Sequence, residues 1–291
     1  MRKEKEIVKD FYDTFGWKQN ADGVYNDSVV WLDASPATSK YQHQCRVRNN
    51  SFLSPAGKHF LDAGSGAIAH PEYLDYSAKY ERRVCVDLSI TGLREARRKL
   101  GGRGLYVVAD LTRLPFREGV FDGAICSHVL YHIPEDEQES VVTELHRVAR
   151  AGSQFLILYM WPTCFLSTVS EKLNAAKQRV RATLRQIPGV VAMKRRFRPV
   201  EVEPAVSNAP TTDHPPLYCH AHEYQWFRRK FPTWNLDVRA SRSIDESFMR
   251  YFVREDWTGQ LLLKLIFWFE TSCPHFLGKI GRYPAIIVRK A

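Results

Sequence analysis

The sequence predicts an α/β fold in which a mostly parallel sheet is wrapped by helices, and three observations carry that expectation. Apolar runs of strand length end three times in an acid, at Asp62, Asp87 and Asp110. A helix-length spacer separates the first two runs, which is the pattern of a βαβ unit. The turn after the first run reads Asp62-Ala-Gly64-Ser65-Gly66. Its two glycines let the backbone turn sharply and lie close to a ligand. In a parallel sheet the three acids fall along one edge, at the carboxyl ends of the strands, where such folds bind their ligands.

Each element can be justified in order. Lys58 to Asp62 is the first strand, and Arg83-Val-Cys-Val-Asp87 closes the second. Asp87 is placed to accept hydrogen bonds from both hydroxyls of a ribose, so a bound nucleoside is the first inference. Gly64-x-Gly66-x-x-Ala69 fits an NAD turn, but a carboxylate at Asp62 would repel a pyrophosphate and could instead accept from a ligand ammonium. Gly104 to Asp110 gives the third strand and Phe121 to Ser127 the fourth, with a short connection where a helix could stand. Pro134 and the acids after Ile133 mark a helix start; Val141, Leu145, Val148 and Ala149 keep helical spacing up to Gly152. Gln154 to Tyr159 forms the fifth strand. Farther on, His222 to Phe231 reads as helix, Asn235 to Ser241 as strand, Gln260 to Thr271 as helix and Pro284 to Arg289 as the last strand.

These segments resemble the class I S-adenosylmethionine-dependent methyltransferases, and more closely the type 11 group, which includes quinone-type and many small-molecule methyltransferases. The resemblance rests on Leu61-Asp-Ala-Gly-Ser-Gly66, Val86-Asp-Leu-Ser89, Ala109-Asp-Leu111 with Leu114-Pro-Phe116, Phe121-Asp-Gly123 and Glu144 to Gly152, in one consistent order. It implies a Rossmann-like seven-stranded, mostly parallel sheet with an antiparallel C-terminal strand and helices on both faces. It also implies S-adenosyl-L-methionine as cofactor. The turn Gly64, Ser65, Gly66 would hold the methionine part, with Asp62 beside it. Asp87 and Leu88 would meet the ribose, Asp110 and Leu111 the adenine, and Ser127 to His132 would border the reaction centre. Ile68 stands where many relatives have a third glycine and His70-Pro71 follows, so the first helix is expected to be displaced. Arg46 could then compensate by pairing with the methionine carboxylate.

Composition narrows the class. The chain has 291 residues, 44% of them hydrophobic, enough for one enzyme domain with additions. Its six cysteines include no close pair, so neither a disulfide framework nor a zinc ribbon is suggested and a reducing, cytoplasmic compartment is expected. No signal peptide or membrane span is read in it. Of the net charge of +10, a net of +8 falls between Glu171 and Arg198. In that region Phe165, Val169, Leu173, Ala176, Val180, Leu184 and Ile187 share one helical face, which predicts a basic amphipathic lid helix ending before Pro188. Its outer face could be solvated, or could contact an anionic membrane through 165–198. A Pro-rich linker follows to Pro216. Leu261 to Phe269 is very apolar but short and holds Lys264, so a core or lid helix is expected rather than a membrane anchor.

The expected layout is a helical cover over 1–50, the cofactor-binding core over 51–162, the basic insertion and linker over 163–218, and the rest of the core over 219–291. Tyr12, Phe15, Trp17, Tyr25 and Trp31 could form an aromatic wall within the cover, or pack it onto the core. Ser127-His128-Val-Leu-Tyr131-His132 supplies the catalytic candidates. His132 is first choice as a base near an acceptor hydroxyl, His128 is expected to line the cofactor, and Tyr131 lies between them. His214, Cys219, His220 and His222 match no standard zinc spacing, and no metal is expected. The functional expectation is methyl transfer to a small-molecule acceptor, at oxygen before nitrogen or carbon, with a lipid-like or membrane-presented acceptor as the main variant. The alternatives are a non-catalytic nucleoside-binding protein and, less favoured because the strand-four motif of base-amine enzymes is missing, a nucleic-acid methyltransferase.

Overall fold

The computed structural model describes residues 2–31, 35–54, 56–165 and 214–291, together with isolated positions between 168 and 179. Most of the expected basic helix and the Pro-rich linker therefore lie outside the described residues. The strands are β1 (Gly57–Ala63), β2 (Tyr80–Asp87), β3 (Gly104–Val108), β4 (Phe121–Ser127), β5 (Ala149–Leu158), β6 (Asn235–Arg242) and β7 (Tyr283–Arg289). They form one seven-stranded sheet in the order β3-β2-β1-β4-β5-β7-β6. β1 to β5 are parallel, and β7 runs antiparallel between β5 and β6. The order reverses between β1 and β4, which opens a crevice above their carboxyl ends.

Alternation along the strands explains why both faces are covered. Leu61, Ala124, Phe155, Ile157 and Ile286 enter one core cluster, while their neighbours Phe60, Ile125, Leu156 and Ile287 enter another. Successive side chains point to opposite faces, so a strand apolar at every position must be buried on both. The first face is covered by α6 (Gln138–Val148) through Val141, Val142, Leu145 and Val148. α5 (Ile90–Leu100) packs Leu93, Ala96 and Leu100 around Cys85 of β2. Its start is fixed by Ser89, whose Oγ accepts from the Gly92 amide at 3.0 Å, and its end by Gly101 at φ +55°.

Ile68 led to the expectation of a displaced first helix; the crossover is instead reduced to turns and the four-residue helix α4 (Glu72–Asp75). Ile68 itself sits at φ +50°, a left-handed conformation unusual for a β-branched residue. Its side chain is buried with Leu93 and Ala96, and that packing offsets the backbone strain. After β4 the acids Glu135–Glu137 form a 3₁₀ turn, and α6 begins only at Gln138.

The N-terminal cover consists of α1 (Lys3–Phe11), a π turn at Tyr12–Gly16, α2 (Asn26–Trp31) and α3 (Pro36–Asn50). It is tied to the core by charge: Lys5 Nζ lies 2.5 Å from both Asp110 and Glu137, and Ser89 Oγ donates to Asp13 at 2.5 Å. The C-terminal part adds α7 (Tyr224–Lys230), α8 (Glu246–Phe252), α9 (Trp257–Ser272) and α10 (Pro274–Ile280). α9 packs on α3 around the fully buried Glu270, which accepts from Tyr41 Oη at 2.6 Å, Ser243 N at 2.6 Å and Arg48 Nη2 at 2.9 Å. Yet α9 is only half a core helix, because Leu261, Leu265, Trp268 and Phe269 remain exposed. Among the described residues no helix is long and apolar enough to cross a membrane.

Candidate active site

A pocket of about 370 Å³ opens at the carboxyl edge of the sheet above the β1/β4 crevice. All the candidate site residues read from the sequence line it except Gly66. One wall is made by the ends of β1 to β3, with Gly64, Ser65, Asp87, Leu88, Asp110 and Leu111. The other is made by the segment after β4, with Ser127, His128, Tyr131 and His132.

The glycine turn is shaped by protein as much as by any ligand. Gly64 lies at φ +75° and Gly66 at φ +49°, and a Cβ on either would collide, with Val129 at the first and with Trp17 at the second. The indole of Trp17 thus takes the approach to Gly66 expected for a ligand. Trp17 stacks on Tyr12 at 4.8 Å between centroids, and its Nε1 is buried without a hydrogen-bond partner among the described residues.

Each of the three edge acids has protein partners. Asp62, whose expected partner is a ligand ammonium, takes Arg83 Nη2 at 2.5 Å and Nε at 3.0 Å on one oxygen. Asp87 receives the Gly66 amide at 2.8 Å on one oxygen and the Ser89 amide at 2.7 Å on the other, which fixes the carboxylate plane at the strand end. Burial pushes its pKa up to about 6, against the pull of those two amides. Asp110 receives Lys5 Nζ and the Thr112 amide and hydroxyl. Burial raises its pKa and these bonds lower it more, leaving it below the usual carboxylate value. Arg46, expected near a carboxylate of the cofactor, lines the pocket with its Nε 3.1 Å from Glu72.

On the opposite wall the titratable groups are held neutral. Burial lowers the pKa of His128 to about 3 and of His132 to about 4. His132 Nδ1 lies 2.7 Å from the Tyr218 carbonyl, so Nδ1 carries the proton and Nε2 keeps a lone pair. His128 occupies φ +60°, a strained conformation held by the hydrogen bond that its backbone N–H donates to the Leu158 carbonyl at 2.9 Å. Tyr131 is buried between the two histidines, its ring 4.6 Å from that of His132.

Four pocket residues escaped the sequence reading. Asp27 of α2 hydrogen-bonds the Tyr12 hydroxyl, and burial pushes its pKa up to about 7. Arg242, at the end of β6, is 8% exposed and donates to Glu246 at 2.5 Å, its guanidinium carbon 4.3 Å above the ring of Tyr283. Tyr283 donates to the same carboxylate at 2.8 Å, and Arg242 Nη1 is buried without a partner. These residues come from α2, β6, α8 and β7, and nothing in their local patterns marks them. Of the expected aromatic wall, Tyr12 and Trp17 reach the pocket.

The cluster of His214, Cys219, His220 and His222 divides. His214, Leu217 and Cys219 line the pocket, while His220 and His222 meet Glu135 on the outer surface, with ligating atoms within 4.8 Å of one another.

Comparison with known proteins agrees with this architecture. Residues 61–157 match the family model described as a methyltransferase domain. The sterol methyltransferase-like 1 protein of Botryococcus braunii is 27% identical over 161 residues, covering 52% of this chain. The chain spans 40% of the length of that relative. Among solved structures, Haemonchus contortus phosphoethanolamine N-methyltransferase 1, bound to phosphoethanolamine and S-adenosylhomocysteine, superposes with a TM-score of 0.57 at 10% identity, covering 99% of this chain and 49% of that one. The geranyl diphosphate C-methyltransferase of Streptomyces coelicolor A3(2), with Mg²⁺, geranyl diphosphate and S-adenosyl-L-homocysteine, gives 0.54 at 11% identity, covering 100% and 98%. At such identities the structural matches speak for the fold. The matched segment builds most of β1 to β5 and both walls of the crevice, and over these residues the chain is similar to a methyltransferase domain.

Proposed function

We propose that the chain transfers a methyl group from S-adenosyl-L-methionine to a small-molecule acceptor, at oxygen in preference to nitrogen or carbon. The observation that carries the reading is the continuity of one pocket from Asp87 to His128 and Arg242. When bound, the cofactor supplies a methyl group on a sulfonium, ready for in-line displacement. Asp87, with Leu88, receives the ribose hydroxyls, its carboxylate oriented by two amides. The Gly64–Ser65 turn and Arg46 meet the methionine part, and Asp110 and Leu111 the base.

Two groups can take a proton from an acceptor hydroxyl. His132 offers Nε2 in a fixed tautomer, and Asp27, with its pKa near 7, is the better matched in basicity at neutral pH. Burial of His128, Tyr131 and His132 keeps water from the reacting atoms. Arg242 Nη1 donates to a polar oxygen of the acceptor beside Tyr283. A lipid-like acceptor is favoured within this class. The names of the relatives support it, since one is sterol methyltransferase-like and another acts on geranyl diphosphate. The six cysteines are free thiols, which supports a reducing, cytoplasmic setting.

The test is calorimetric titration with S-adenosylmethionine, S-adenosylhomocysteine and NAD, followed by an acceptor screen. Selective binding of the two sulfur nucleosides is expected. Preference for NAD, or no binding, overturns the reading.

A further inference from the structure

α9 carries an exposed face whose chemistry differs from the rest of the surface. Trp257, Leu261, Leu265, Trp268 and Phe269 fall within roughly 120° of arc on a helix advancing about 100° per residue. They are all exposed, Trp257 at 73% and Trp268 at 58%. Phe276 of α10, which packs against α9, adds a further ring at 63%. Contiguous apolar surface of this kind on a folded chain marks an interaction site. The opposite face of α9 is spent on the core through Leu263 and the buried Glu270, so the helix cannot rotate to hide these side chains.

Charge selects the partner. From Trp257 to Gly281 the only carboxylate is Glu270, which is 0% exposed, whereas Lys264 and Lys279 are exposed. From Trp257 onward the exposed charges are therefore cationic, the exposed Glu255 and the Arg254-paired Asp256 lying just before the helix, and the face is complementary to an anionic lipid surface. Trp257 and Trp268 lie on it one above the other, and tryptophan favours the headgroup boundary.

We propose that α9 docks this protein on an anionic membrane, its Trp257–Phe269 face lying in the interface with the helix axis parallel to the surface. This deepens the lipid-like acceptor reading and moves the membrane contact expected of 165–198 onto a helix packed against α3, whose Gln42, Cys45 and Arg46 line the pocket. The face binds; it adds no chemistry of its own.

Sedimentation of the full chain with vesicles tests it, using phosphatidylcholine alone and phosphatidylcholine with about a third phosphatidylglycerol at about 0.1 M salt. The expected result is binding to the anionic vesicles that weakens as salt rises, and that falls roughly tenfold or more in both Leu265→Glu and Trp268→Glu. Both side chains are exposed, so the melting temperature and the S-adenosylmethionine titration should be unchanged. Failure to bind, binding that survives both substitutions, or a dimer in vesicle-free solution that the same substitutions dissolve would each overturn the proposal. Titrating the cofactor on the same samples separates this failure from failure of the methyl-transfer reading.

Discussion

On the β1–β3 side of the pocket every acid is already engaged by the protein, Asp62 by Arg83, Asp87 by two backbone amides and Asp110 by Lys5. On the β4–β7 side the ionisable groups are buried histidines held neutral, and Arg242 keeps one nitrogen without a partner. The difference is one of preorganisation. The first wall is charged and fixed before any ligand arrives, as a site for one constant ligand should be. The second is dry, aromatic and polar at a few points, which suits an acceptor recognised by shape and one or two hydrogen bonds.

The largest effect is expected from removing a partner on the fixed wall. Arg83→Ala leaves the Asp62 carboxylate buried and unpaired, and should cost about 3–5 kcal/mol of stability in a urea melt. A loss under about 1 kcal/mol would mean that Asp62 is free to serve a ligand, as on the other wall. Next in size, Asp87→Ala should weaken S-adenosylmethionine roughly 100-fold by calorimetry, since it deletes two charge-assisted bonds to a ribose. Unchanged affinity would remove the ribose from this strand end.

On the second wall the effects should appear in turnover rather than in cofactor affinity. His132→Gln and Asp27→Asn are each expected to lower kcat about tenfold, with the other group still able to take the proton. If only one of them moves kcat, that residue is the base and the other is structural.

The smallest effect is in pH, and its sign distinguishes the walls. The folded pKa of Asp87 is raised to about 6, so its contribution to stability is complete below the unfolded value and is lost as pH rises through about 6. Cofactor affinity should run the other way, rising as the carboxylate forms, by at most about tenfold per pH unit below 6. His132, lowered to about 4 by burial, stays neutral through this range and adds no pH dependence to kcat above pH 5, so a fall of kcat below about pH 7 would report protonation of Asp27. Asp87→Asn should abolish the pH dependence of binding; persistence of the slope in that variant would assign it elsewhere.

Much of the first wall was legible because its physics is local. A strand ending in an acid, a turn needing positive φ at Gly64 and a capped helix after Asp87 each act within a few residues, so pattern and spacing suffice. Ile68 was readable for the same reason, as a side chain where the turn wants none. The contacts of these residues were not legible. Arg83 reaches Asp62 across a strand pair, Lys5 reaches Asp110 from the cover, and Trp17 fills the space over Gly66.

The parallel sheet with its reversed C-terminal strand, and the line of acids along its edge, follow from local sequence alone. Apolar runs and glycines constrain backbone conformation wherever they stand in the chain. Long-range packing settled which groups face one another across the pocket, bringing Asp27 to Tyr12 and Arg242 to Glu246 and Tyr283. It also decided which side of the nearly all-apolar α9 is buried, by satisfying Glu270 against Tyr41, Arg48 and Ser243. A buried carboxylate must find its donors, and that requirement, set by residues far away in sequence, fixes the helix rotation and leaves Trp257 and Trp268 outside.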